Sequence, residues 1–237
     1  MHDNEFFKKD EGDPMRKKTY TLLVTGLIVL LITACAPPPQ DTSPDVTDEE
    51  KVAPNDTIVR VNDVEIKGEL YNSLYSQLKS ELSYNEMDTS NHEELKEMTF
   101  TIIIEQELLR QKLIDEGETI TDDEVEALIH EIRSEIGDAQ FDDFLNQHDI
   151  TEDIYKQQLV YEVSRQKYID RYLPEYTVTE KEITDFYTRY RRSQGRDAPP
   201  LSEIRDDIEM TLIEQKRIED LSEEIEVLSE DADIETF

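Results

Sequence analysis

The chain has 237 residues, enough for one or two domains. It carries 58 acidic residues against 25 lysines and arginines, a formal net charge of −33. Such acidity excludes ordinary binding to a nucleic-acid backbone, which requires basic patches. Cys35 is the single cysteine, so an internal disulfide is also excluded and the fold must depend on its apolar core.

The N-terminus has the pattern of a secretory signal. Arg16-Lys17-Lys18 precedes the apolar stretch 22–32, which is shorter than the roughly 20 residues that a membrane-spanning helix needs. Small residues then lead to Cys35, and together these features resemble the lipobox of bacterial lipoproteins. We expect residues 1–34 to be a signal peptide, with a possible true start at Met15.

This resemblance implies that Cys35 is the lipidation site, its thiol carrying an acyl chain such as palmitate. An uncleaved anchor helix with an incidental thiol is the alternative. Residues 36–56 contain five prolines among Asp, Thr and Ser, a composition typical of an extended chain without a core. We therefore expect residues 35–56 to be a disordered tether that holds a folded region at the extracytoplasmic face of the cell membrane.

The folded region is expected to begin with a β-hairpin. Alternating residues predict two short strands, 58–61 and 64–66, around a turn at Asn62-Asp63. Leucines at every fourth position from Leu70 to Leu82 then predict an amphipathic helix. An apolar helix centred on residues 102–109 is expected to form the buried middle of the domain.

The remainder of the chain contains several sequence signals for the start of a helix. Capping boxes, in which a Ser or Thr is followed three residues later by Glu, predict helix starts at Ser90/Glu93, Thr121/Glu124 and Thr179/Glu182. Thr151 opens another helix, and Pro199-Pro200 precedes a last helix that reaches Leu228. The fold class is therefore mainly α, over residues 57–228, and residues 229–237 are expected to be an acidic disordered tail.

The order of these elements resembles a known family. The segments that show the resemblance are, in chain order, Val61-Asn62-Asp63, Ile103-Ile104-Glu105-Gln106-Glu107-Leu108-Leu109, Glu116-Gly117, Thr119-Ile120-Thr121-Asp122-Asp123-Glu124-Val125, Phe141-Asp142-Asp143-Phe144-Leu145, Thr151-Glu152-Asp153, Val178-Thr179-Glu180-Lys181-Glu182-Ile183 and Phe186-Tyr187. This ordered set is similar to the N-terminal peptide-binding domain of SurA/PrsA-type extracytoplasmic chaperones. The resemblance implies a helical, SurA/trigger-factor-like peptide-binding domain with a small N-terminal hairpin and a long returning C-terminal helix.

The sequence departs from the foldase members of this family at one place. In those members a parvulin prolyl isomerase domain lies between the helix carrying Phe186-Tyr187 and the returning helix. Here only residues 188–200 occupy that place, far fewer than the roughly 50 residues of a small domain. The resemblance therefore implies the chaperone part without the enzyme.

The implied function is a membrane-anchored chaperone-like lipoprotein that binds unfolded or newly secreted proteins, with no cofactor and no nucleic acid. The acidic surface is expected to favour basic clients and to repel acidic ones. Two alternatives stay open. One is a structural or adaptor lipoprotein with a single envelope partner, and the other is a peptidyl-prolyl isomerase with an unrecognised site.

Tyrosines on the predicted helices are the candidate peptide-binding residues, because their rings combine apolar area with a polar tip. They are Tyr71, Tyr75, Tyr155, Tyr161, Tyr168, Tyr172, Tyr187 and Tyr190. Partly buried core tyrosines are the alternative. The four histidines show no metal-ligand spacing, and Asp122-Asp123-Glu124 is explained by a helix start, so neither a metal site nor a catalytic residue is predicted.

Overall fold

The computed structural model describes residues 46–195 and 198–237. Within them, a small antiparallel sheet has the strand order β2-β1-β3. The strands are β1 (Thr57–Val61), β2 (Val64–Lys67) and β3 (Ile234–Thr236). Asn62, in the turn between β1 and β2, has a φ of 55°, a left-handed conformation that asparagine adopts more readily than most residues. The predicted hairpin is confirmed.

Helices make up most of the described residues, as the sequence predicted. They are α1 (Gly68–Tyr84), α2 (His92–Asp115), α3 (Asp122–Ile136), α4 (Asp138–Gln147), α5 (Glu152–Tyr172), α6 (Glu180–Gln194) and α7 (Leu201–Asp231). The mainly α fold class is confirmed.

Helix starts follow the predicted capping chemistry with one exception. Thr121 and Thr179 each form a complete capping box with the glutamate three residues later. Helix α2, however, is capped by Asn91, whose side chain accepts a hydrogen bond from the Glu94 amide at 3.4 Å. The predicted cap at Ser90 is wrong because the Ser90 amide donates to Asp88 in the preceding turn.

The main core lies between the sheet and helices α1, α2 and α5. Its buried side chains include Val59 and Val61 of β1, Leu74 of α1, Ile103 of α2 and Tyr161 of α5. Because α2 supplies buried residues along most of its length, it is the central helix that the sequence predicted. A second, smaller cluster joins α3 and α4 to α5 around Val125, Phe141 and Tyr155.

Helix α7 is the predicted returning helix. At 31 residues it is about 46 Å long. Its C-terminal half packs against α2 and α5, where Leu221 and Ile225 meet Leu109 and Tyr168. Leu228 continues this line to the main core. The N-terminal half of α7 leaves the body of the domain and packs against α6.

The C-terminal residues are ordered, which corrects the expectation of a disordered tail over 229–237. Strand β3 pairs with β1, placing Val59 opposite Thr236 and Val61 opposite Ile234. The Asn62 amide donates to the Asp233 carbonyl at 2.7 Å, and the Asp233 amide donates to the Asn62 side chain at 2.9 Å. Acidic composition did not prevent order here because the backbone of the tail completes a sheet.

Residues 46–56 of the expected tether lie on the domain, which corrects this part of the prediction. Val46 and Val52 pack against the main core. The Asn72 side chain accepts from the Val52 amide and donates to the Val52 carbonyl, both at 2.9 Å. The predicted signal peptide, Cys35 and the tether up to residue 45 lie outside the described residues.

Candidate functional site

Helix α6 and the N-terminal part of α7, residues 201–212, form a two-helix arm. Three buried side chains, Ile183, Ile208 and Leu212, fill the space between the helices. The other apolar side chains of this cluster are only partly buried: Val178, Phe186, Tyr187, Leu201 and Ile204. Two helices cannot enclose a core as the body of the domain does, so the arm leaves apolar area accessible to a ligand.

Polar contacts fix the base of the arm. Lys216 of α7 pairs with Glu182 of α6 at 2.7 Å and donates to the Thr177 carbonyl at 2.8 Å. The hydrogen bond from Lys216, supported by Thr179, lowers the pKa of the Glu182 carboxyl to about 2. An ion pair between Arg205 and Glu180 adds a second link between the helices. These contacts therefore fix the position of α6 relative to α7.

The arm tip is the end at which α6 finishes and α7 begins. There the Tyr187 hydroxyl donates to the Pro199 carbonyl at 3.0 Å, which joins α6 to the segment that leads into α7. Phe186 and Tyr190 are half-buried on the same face of α6 as Tyr187, at helical spacing. Leu201 and Ile204 of α7 pack against the same buried cluster as Phe186 and Tyr187.

Five of the eight candidate tyrosines are not available to a peptide. Tyr71, Tyr75, Tyr155, Tyr161 and Tyr168 are buried, with exposed fractions between 1 % and 4 %. They fill the core, as the alternative interpretation held, and this corrects their assignment as peptide-binding residues. Burial raises the pKa of both Tyr71 and Tyr155 to about 12, so neither phenol ionises at neutral pH.

The remaining three tyrosines are half-buried. Tyr172 packs beside Tyr168 near the end of α5, with ring centroids 4.9 Å apart. Tyr187 and Tyr190 lie together on the arm. Phe186, Leu201 and Ile204 join them there but were not among the candidates. The matching apolar stripes on both sides of Pro199-Pro200 were the signal that could have identified these residues.

A buried ionic cluster lies where the segment before β1 crosses α1. The Glu50 side chain, 1 % exposed, accepts hydrogen bonds from the Tyr75 hydroxyl at 2.7 Å and from Lys79 at 2.7 Å and 3.0 Å. Thr47 donates to it through both its amide and its hydroxyl, and His92 Nδ1 lies 2.8 Å away. We call these residues the Glu50 cluster. It fastens residues 46–52 to the first two helices.

A second buried carboxylate, Glu107, organises the middle of α2. Arg110 donates two hydrogen bonds to it at 2.7 Å and 2.8 Å, and the Tyr161 hydroxyl donates a third at 3.1 Å. The Gln111 side chain donates to Glu107 at 2.6 Å and accepts from the side-chain amide of Asn62 at 2.7 Å. This network joins α2, α5 and the hairpin turn, and its donors satisfy the buried charge.

Other titratable side chains of the described residues lie outside these two networks. His148 follows α4, its ring centroid 4.6 Å from that of Phe144, and burial lowers its pKa. His130 is exposed on α3. Burial raises the pKa of Glu105 to about 7, but no hydrogen-bond partner of its carboxyl is found among the described residues. Those residues also contain no group of three potential ligands able to hold a metal ion.

Comparison with known proteins identifies the family. A family model described as SurA-like N-terminal domain matches residues 13–169, more than half of the chain. The chain belongs to the SurA-like N-terminal domain family. The match includes the hairpin, helices α1 to α4 and most of α5. No curated protein and no solved structure gives a significant match.

Membership of the SurA-like family confirms the resemblance that the ordered motifs indicated. It supports a chaperone-type role in which the domain binds peptide or protein segments. The arm lies beyond the matched residues, since α6 begins at Glu180. In residues 46–195 and 198–237, none of the helices has the length and apolarity needed to cross a membrane.

Proposed function

We propose that this SurA-like protein is a membrane-anchored, extracytoplasmic, chaperone-like lipoprotein that binds unfolded segments of secreted proteins. It holds them without making or breaking bonds and without isomerase activity. The partly buried apolar face of the arm is the observation that carries this proposal. The family match supports peptide binding, and the lipobox-like residues before Cys35 support the anchor.

Affinity at the arm comes from apolar burial. A client side chain that covers Phe186, Leu201 or Ile204 removes apolar surface from water at about 25 cal/mol per Å². Tyr187 and Tyr190 add rings with polar tips, which adapt to varied sequences. Contacts of this kind are shallow and sequence-tolerant, so one surface can hold many clients.

Photo-crosslinking tests whether the arm is the binding surface. A benzoylphenylalanine replaces Tyr190 on the arm or, as the matched control, Tyr84 at the end of α1, which is 77 % exposed. The expected result is crosslinking of an unfolded secreted protein through position 190 and not through position 84. Equal crosslinking at both positions, or none at 190, contradicts the assignment of the site to the arm.

Aggregation and isomerisation assays test the activity itself. The protein is expected to slow aggregation of an unfolded secreted client at equimolar ratio and to leave the rate of a proline-peptide isomerisation unchanged. Failure to protect any client removes the proposed function. Catalysed isomerisation favours the alternative of an isomerase, whereas tight binding to one envelope protein favours the adaptor.

The anchor is tested separately through Cys35. In cells, the chain is expected in the membrane fraction with a lipid on this thiol, and the Cys35→Ser variant is expected in the soluble fraction. A variant that stays in the membrane fraction supports the alternative of an uncleaved anchor helix.

A further inference from the structure

The arm tip carries a cluster of arginines that form no ion pair with a carboxylate of the described residues. Of the 19 lysines and arginines in residues 46–195 and 198–237, 14 lie within 4 Å of a carboxylate of that part. The exceptions are Lys51, Lys96, Arg189, Arg191 and Arg192. Three of them are exposed within four consecutive positions at the end of α6.

Charge is segregated along α6. Its first half contains Glu180, Glu182 and Asp185, each paired with a lysine or arginine. Its last turn contains Arg191 and Arg192, where cations also interact favourably with the helix dipole. The first turns of α7 contain Glu203, Asp206 and Asp207. None of these carboxylates, nor any other in the described part of the chain, forms an ion pair with either arginine.

The unpaired arginines border the apolar face of the arm. Tyr190 lies between them in sequence and is half-buried, and the Arg189 guanidinium lies 6.0 Å from the centre of the Phe186 ring. A guanidinium offers a planar fork of donors that matches a carboxylate. The tip therefore combines apolar area with adjacent sites for anions.

We infer that the arm tip recognises client segments in which Asp or Glu flanks an aromatic or aliphatic residue. This inference rests on the proposed function and names its class of client. It reverses the expectation, drawn from the net charge of −33, that the protein prefers basic clients. Long-range repulsion by the body is screened within about 10 Å at 0.1 M salt, so charges close to the bound segment dominate.

Binding of matched peptides tests the inference, using the full chain kept in solution with a non-ionic detergent. Three fluorescent peptides share one apolar sequence and carry flanking Glu, Gln or Lys. The variant R191Q/R192Q removes two of the three unpaired charges at the tip, and K51Q/K96Q removes the two unpaired charges on the body. Circular dichroism and the melting temperature verify that both variants remain folded.

The wild type is expected to bind the Glu peptide more tightly than the Gln peptide. R191Q/R192Q is expected to lower the affinity for the Glu peptide by about threefold to tenfold and to leave the affinity for the Gln peptide unchanged. K51Q/K96Q is expected to bind both peptides as the wild type does. The loss should disappear at about 0.5 M salt, where the screening length is only a few Å.

Several results would overturn the inference. Equal losses in the two variants would assign the effect to net charge, and tightest binding of the Lys peptide would restore the original expectation. Binding to anionic phospholipid vesicles that is lost in R191Q/R192Q, with peptide binding unchanged, would assign the tip to a membrane. If the wild type binds the Gln peptide and the Glu peptide equally tightly, only this inference fails. If no peptide binds, the proposed function fails with it.

Discussion

Replacing Glu50 with alanine removes a buried carboxylate from beside the Lys79 ammonium, whose side chain is only 8 % exposed. Removing one member of a buried ion pair typically costs about 3–5 kcal/mol, because the remaining charge stays in a poorly solvated position. Such a loss is a large part of the roughly 5–15 kcal/mol that stabilises a domain. We therefore expect the melting temperature to fall by roughly 10 °C.

Urea denaturation followed by circular dichroism measures this cost. Glu49→Ala is the matched control, because it removes the same charge from the adjacent, exposed position and is expected to change stability by less than about 0.5 kcal/mol. Lys79→Met and the double variant complete a mutant cycle, with an expected coupling of about 1–3 kcal/mol.

The pH dependence of stability gives an independent check. Burial opposes ionisation of Glu50, but hydrogen bonds from Lys79, Thr47 and Tyr75 outweigh it and hold the pKa of the carboxyl well below its usual 4.5. A depressed pKa contributes stability that is complete above about 4.5 and is lost as the pH falls toward the lower value of the folded protein. The difference in stability between the wild type and Glu50→Gln should therefore shrink below pH 4.5.

The reasoning about the Glu50 cluster would be refuted by either of two results. One is a Glu50→Ala variant as stable as Glu49→Ala. The other is a mutant cycle whose coupling is below about 0.5 kcal/mol, because the pair would then contribute no more than independent residues do.

Three further substitutions test the hairpin turn, the close approach at α1 and a helix cap, each by urea denaturation. Asn62→Ala should cost about 2 kcal/mol through lost hydrogen bonds and a positive φ, and Asn62→Gly should cost less because glycine tolerates that φ. Gly68→Ala should lower the free energy of unfolding by about 2 kcal/mol, since the added Cβ would clash with the Ala53 carbonyl and lie 2.8 Å from Val52 Cγ2. In the control Gly137→Ala the added Cβ meets no atom within 4 Å, so only the strain of a positive φ should lower stability. Thr121→Ala should cost about 1 kcal/mol by removing the capping box of α3, and exposed Thr119→Ala should cost nothing measurable.

Local chemistry made much of the fold predictable. Thr121 and Thr179 start helices because their side chains satisfy amides that the helix leaves free, and this requirement is visible in four consecutive residues. The hairpin is equally local, since Asn62 supplies the left-handed residue at its turn. Family resemblance then supplied the returning helix, because its packing depends on distant residues.

The parts that sequence reasoning missed depend on long-range partners. Strand β3 has three residues and one charge, so no periodic pattern marks it; its order comes from pairing with β1. Glu50 sits in an acidic, proline-flanked stretch, and only the proximity of Tyr75 and Lys79 makes its burial favourable. Helical spacing placed the tyrosines on apolar faces but could not distinguish a face against the core from one on the arm.

The position of β3 has a consequence for the order in which the chain is made. Strand β1 is synthesised well before β3, the strand that covers its second edge. The hydrogen bond from Asp233 to Asn62 spans 171 positions and can form only after α7 has been synthesised. A chain that stops before β3 would keep an uncovered strand edge, which is prone to aggregation and to capture by other chains. Pairing of β3 with β1 thus distinguishes chains that extend through β3 from shorter ones.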